Sequence, residues 1–134
     1  MKTIGIIGTR RRNTPEDQAS VRDTLLSLRE DGCWIVSGGC PKGGDRFAEI
    51  LAKTEAIPIL VFYPDWNRYG KGAGFVRNTD IADHSDILIA CVSKDRVGGT
   101  EDTINKFLNR LFFKKSILNV NEQEAIDGGY LFLV

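Results

Sequence analysis

Three apolar runs of strand length each pass into a turn of glycine and small polar residues. Ile4-Gly5-Ile6-Ile7 leads into Gly8-Thr9-Arg10, and Trp34-Ile35-Val36 leads into Ser37-Gly38-Gly39-Cys40-Pro41-Lys42-Gly43-Gly44-Asp45. Ile87-Leu88-Ile89-Ala90-Cys91-Val92 runs on to Gly98-Gly99-Thr100. Glycine leaves backbone amides open to a ligand and permits sharp turns. A helix starting just beyond adds unpaired N–H groups and partial positive charge, which suit an anion such as phosphate. Repeated at several strand ends, these turns predict a nucleotide-type ligand along one edge of a parallel sheet.

Around the turns stand side chains with matching chemistry. Thr9 and Arg10 follow the first run directly, which makes Arg10 the candidate for a phosphate; Arg11 and Arg12 read as a solvated basic run. Asp45 opens a helix and fits two roles: a partner of that helix's N-terminus, or an acceptor for a ribose hydroxyl or a bound water. Trp66 lies in a polar loop, where an aromatic ring can stack on a base. Arg77 and Asn78 are awkward core residues near a helix start, suited to a ligand or to clamping a loop. The glycine spacing matches neither G-x-G-x-x-G nor a P-loop, since Lys42 precedes Gly43-Gly44.

Strands must alternate with helices to place these groups together. Strands are predicted at Thr3–Gly8, Cys33–Ser37, Ile57–Phe62, Asp86–Cys91 and Ser116–Val120, with Tyr130–Val134 as a sixth strand or an apolar cover. Thr14-Pro15-Glu16-Asp17 starts a helix whose apolar face is Val21, Leu25 and Leu28. Helical spacing returns at Phe47, Ile50, Leu51 and Thr54, at about Gly74 to Asp83, and at Ile104, Phe107, Leu108 and Leu111. The expectation is a single domain over residues 1–134: a three-layer α/β Rossmann-like sandwich with a mostly parallel five- or six-stranded sheet. The tail from about residue 121 is unassigned beyond its candidate edge strand. In such a sheet, ligands bind outside the carboxyl ends of the strands.

Lysine plus arginine equals aspartate plus glutamate, 18 against 18, so no net charge draws the chain to nucleic acid. The apolar runs are too short to span a membrane, and strand-like residues begin at Thr3 where a signal segment would need a longer run. A cytoplasmic protein with no membrane partner is expected. Cys33, Cys40 and Cys91 lack metal-ligand spacing and read as buried, inert thiols, with His84 as the single histidine. Neither a metal nor a cofactor is expected, and oligomeric state is open, a homo-oligomer included.

The assembled motifs resemble a known group. Gly8-Thr9-Arg10, Val36-Ser37-Gly38-Gly39-Cys40, Gly43-Gly44-Asp45-Arg46-Phe47-Ala48, Pro64-Asp65-Trp66, Tyr69-Gly70-Lys71, Ala73-Gly74 and Arg77-Asn78 look like the SLOG superfamily. The likeness is to its small stand-alone YpsA-related members, which read G-S-R, S-G-G-A-x-G-x-D and D-W-x-x-Y-G-K-x-A-G-x-x-R-N. Thr9 and Cys40 are this chain's departures, both small, and the likeness spans most of residues 3 to 111.

The resemblance implies a Rossmann-like fold, related to Lonely Guy and DprA-type folds, that binds or senses a nucleotide or nucleotide-derived ligand. The implied ligand residues are Thr9, Arg10, Ser37, Gly38, Gly39, Gly43, Gly44, Asp45, Trp66, Arg77, Asn78, Gly99 and Thr100. Lonely Guy relatives are phosphoribohydrolases with a P-G-G-x-G-T-x-x-E motif. Here Val97-Gly98-Gly99-Thr100-Glu101-Asp102-Thr103 puts Thr103 at the glutamate position. An N-glycosidase would therefore have to use Asp45 and Glu101. A DNA-processing or single-stranded DNA-binding module is a third reading, disfavoured by neutral charge and the lack of an aromatic-basic stripe.

Overall fold

Aliphatic runs buried on both faces build a parallel sheet, and the helical segments between them cover it. A computed structural model describes residues 2–115 and 120–134. The elements run β1 Thr3–Gly8, α1 Pro15–Leu28, β2 Trp34–Ser37, α2 Gly44–Thr54, β3 Ile59–Val61, α3 Trp66–Tyr69, α4 Ala73–His84, β4 Ile87–Cys91, α5 Gly99–Lys115, α6 Glu122–Asp127 and β5 Leu131–Leu133. A 3₁₀ turn, Gly70–Gly72, joins α3 to α4.

The strand order is β3-β2-β1-β4-β5, with every neighbouring pair parallel. Chain order thus reverses at β1, whose neighbours are β2 and β4. Gly5 pairs with Val36 on one side, and Gly8 pairs with Cys91 on the other. Alternation along β1 sends Ile4 and Ile6 into the core with Val21 and Leu25 of α1 and Phe47 and Leu51 of α2. Ile7 joins the opposite core with Ile81 of α4, Ile104 and Phe107 of α5, and Ala125 of α6. These are the three layers the sequence predicts.

Thr14 and Asp17 cap α1 reciprocally: the Thr14 hydroxyl accepts from the Asp17 amide at 3.1 Å, and the Asp17 carboxylate accepts from the Thr14 amide at 3.2 Å. The predicted Ser116–Val120 strand falls outside the described residues except for Val120, which belongs to no regular element. Helix α6 forms within the tail left unassigned from sequence, and the candidate edge strand Tyr130–Val134 contains β5 at the sheet edge. Among the described residues, no helix is long and apolar enough to cross a membrane.

Candidate functional site

Two adjoining cavities open along the carboxyl ends of the strands. The first, about 360 Å³, lies where chain order reverses, between the turn after β1 and the loop between β4 and α5. Gly8, Thr9, Arg10 and Arg11 line one side of it, and Val97, Gly98, Gly99, Thr100 and Thr103 line the other. Asp45, Arg77, Asn78 and Ile81 also line it. The second, about 620 Å³, is lined by Gly38 through Lys42 together with Tyr63, Pro64 and Trp66. Arg10, Arg11, Cys40 and Arg77 belong to both.

The cations along this edge differ in how committed they are. Arg11 forms a forked pair with Asp95, at 2.9 and 2.7 Å, and also donates to the Val97 carbonyl at 3.2 Å. Asp95 is held well below the usual carboxylate range by the Arg11 and Ser93 hydrogen bonds. Arg12 is half-buried rather than part of a solvated run, donating to Asp17 and to the Val92 and Val134 carbonyls. Arg10 is exposed, and its guanidinium has no hydrogen-bond or ion-pair partner among the described residues. Its whole donor fork is available to an incoming anion.

Arg77 organises the centre. Its Nη1 donates to the Gly38 carbonyl, its Nε donates to Asn78 Oδ1 at 3.0 Å, and its charge acts on Asp45. Asn78 in turn donates to Asp102 at 3.1 Å and to the Gly99 carbonyl at 3.3 Å. The Arg77-Asn78 pair on α4 therefore ties the loop after β2 to the first turn of α5. The clamped loop is the one following β2.

Asp45 is 7% exposed yet lines the first cavity. Burial pushes its carboxyl up from its ordinary value, against the pull of the Cys40 amide at 3.1 Å, Arg77, the Gly38 amide and Ser37. Ser37 is fully buried; its hydroxyl favours the charged Asp45 without reaching full hydrogen-bond geometry.

No protein-family model, curated protein or solved structure matches the chain.

Of the residues singled out from sequence, Thr9, Arg10, Gly38, Gly39, Asp45, Trp66, Arg77, Asn78, Gly99 and Thr100 line the two cavities. Ser37, Gly43, Gly44 and Glu101 do not. Gly43 and Gly44 instead let α2 press against β1: a Cβ on Gly44 would fall onto Ile7 and Gly8 backbone atoms, and one on Gly43 onto the Thr9 carbonyl. Glu101 is paired with Arg96 at 2.8 Å, and Arg96 also reaches Glu122 on α6. Thr103 does line the cavity. Cys40 is half-buried and lines both cavities, unlike the buried Cys33 and Cys91. Lys42 and Thr103 line the cavities without having been expected there, whereas Tyr63 and Pro64 belong to a loop that chain order places at the strand ends, though not to the expected ligand residues. Tyr63 directly follows the predicted strand Ile57–Phe62, much as Thr9 and Arg10 follow the first.

Proposed function

We propose that this protein binds a nucleotide or nucleotide-derived ligand across the carboxyl ends of its parallel strands, as a SLOG-type binding or sensing domain. The observation that carries the reading is Arg10, a cation without a partner among the described residues, at the seam of two cavities where the strand order reverses. Three features fit an anionic ligand there. Arg77 stands on the same seam, the 17-residue helix α5 points its N-terminus at the first cavity, and Gly98 and Gly99 leave that N-terminus uncovered. The second cavity suits a base, because the Tyr63 and Trp66 rings are flat, apolar and largely exposed, Trp66 at 59%. Of the motifs that resemble the SLOG superfamily, Gly8-Thr9-Arg10, Gly38-Gly39-Cys40, Asp45, Pro64, Trp66 and Arg77-Asn78 line this cleft.

Hydrolysis of the bound nucleotide is the second reading, and one observation favours it: Asp45 is a cavity-lining carboxylate whose burial makes it more basic than usual. Two others weigh against it. Glu101 is engaged by Arg96, and a threonine occupies the position of the hydrolase glutamate. Binding without turnover is the conclusion. Incubation with a panel of nucleoside monophosphates, followed by chromatography, tests it: intact nucleotide with thermal stabilisation is expected, whereas released free base would convert the domain into an N-glycosidase.

A further inference from the structure

Strand β3 is an edge of the sheet, and alternation decides which of its backbone groups face outward. The Ile35 amide donates to the Pro58 carbonyl and the Phe62 amide to the Ser37 carbonyl, each at 2.8 Å. Pro58, Leu60 and Phe62 thus turn their backbone groups toward β2, and the N–H and C=O groups of Ile59 and Val61 point away from the sheet. Those outward groups have no partner among the described residues. Such an edge is a template for another strand unless charge, proline or a bulge blunts it. Nothing blunts β3: Ile59, Leu60 and Val61 are aliphatic, and Pro58 is turned inward. Leu60 lies opposite Val36, on the sheet face that α4 covers over β1 and β2, yet is 39% exposed. On the other face, α2 leaves an apolar groove of about 550 Å³ beside Ile50, Ile57, Pro58 and Ile59. Lys53 stands on that groove without an ion-pair partner among the described residues.

We propose that β3 is the join of a homodimer: two copies pair antiparallel along this edge, about a twofold axis through Leu60, and form one continuous sheet. Ile59 then sits opposite the partner's Val61, and Val61 opposite the partner's Ile59, as the hydrogen-bonded pairs of an antiparallel ladder. Every outward group of both residues is thereby satisfied. The two Leu60 side chains meet across the axis in a non-hydrogen-bonded pair, where side chains approach closest. Continued past the strands, the same register carries the partner's Tyr63 alongside Ile57, at the apolar groove. The Tyr63 ring is 67% exposed, so it has surface to offer there as well as to its own cavity. The register also brings the partner's Asp65 toward Lys53, an acid toward a cation without a partner among the described residues. These contacts are self-complementary: donor to acceptor, ring to groove, acid to cation. A twofold interface requires that property and repeats each contact, whereas a foreign strand would not select it.

Sedimentation equilibrium of the intact chain tests the join, and twice the protomer mass is expected at micromolar concentration. Val61→Pro removes one outward N–H and no bond to β2, and Leu60→Lys sets two like charges at the axis. Each is expected to raise the dimer's dissociation constant by about tenfold or more. Lys53→Glu, at an exposed helical position that tolerates the change, puts like charges opposite each other and is expected to raise it about 2- to 10-fold. Circular dichroism of each variant separates lost pairing from lost fold. A wild-type protein that stays monomeric up to millimolar concentration would overturn the proposal. A dimer left undiminished by the folded edge variants and by Lys53→Glu would overturn it as well, because its contact would then lie on another face.

Discussion

Arg77 and Asp45 show how one residue serves both the cleft and the fold. Arg77 bonds Gly38 and Asn78 and compensates the buried Asp45, so Arg77→Ala is expected to lower stability and ligand affinity together. Losing a hydrogen bond to a charged group costs about 1.5–3 kcal/mol, and urea denaturation of the ligand-free variant should show a loss of that size. An unchanged denaturation midpoint would mean the Gly38 and Asn78 bonds do not support the loop. For Asp45 the sign follows from burial, which raises its folded pKa above the ordinary 3.8. The native state then holds more protons than the unfolded state from about that pH upward to the folded pKa. Stability from this group is greatest below 3.8 and declines as pH rises through the folded value. Asp45→Asn should flatten that decline in a comparison of unfolding free energies across pH; an equal slope in both proteins would contradict it. Sequence made both residues conspicuous, since an arginine-asparagine pair and an acid at helix starts have little business in a core. It could not separate the ligand role from the clamp, because both need the same donors facing the same strand ends.

The contacts between elements explain what remained illegible. Gly43-Gly44 read as a ligand loop, yet Gly44 is where α2 meets β1 at backbone distance. Gly44→Ala is expected to destabilise the fold by about 1–3 kcal/mol or more, as overpacking does, measured by thermal or chemical denaturation. A neutral effect would mean α2 can withdraw from β1 freely. Gly39 carries both constraints: its φ is +75°, and a Cβ would lie 2.5 Å from Tyr63 Cε1. Gly39→Val should therefore both strain the turn and displace the Tyr63 ring, reducing ligand protection and lowering the melting temperature of the free protein. Full ligand protection in the variant would detach this turn from the cleft. The long strands and helices were legible because burial on both sheet faces and 3.6-residue spacing leave strong patterns. Helix α6 was not, since its six residues, Glu122–Asp127, bury only Ala125 and carry almost no periodic signal. The tail's assignment as β5 needed the partner strand, because Leu131–Leu133 reads equally well as an edge strand or an apolar cover.

At the scale of the whole molecule, the cleft depends on topology. Residues as distant in sequence as Arg10, Arg77 and Thr100 share one cleft because chain order reverses at β1 and every strand points its carboxyl end the same way. A ligand that binds only the folded cleft stabilises the entire domain, by about 2.7 kcal/mol at 100 times its dissociation constant. The central claim is that an anionic nucleotide-type ligand is held at the seam by Arg10. Titration calorimetry of the wild-type protein and Arg10→Ala against the same nucleotide panel tests it most directly. Arg10 has no partner among the described residues, so its loss should leave the melting temperature of the ligand-free protein unchanged. Nucleotide affinity should fall about 10- to 150-fold, the loss of one hydrogen bond to a charged group. Equal affinity in the two proteins, or no nucleotide binding by the wild type, would contradict the account.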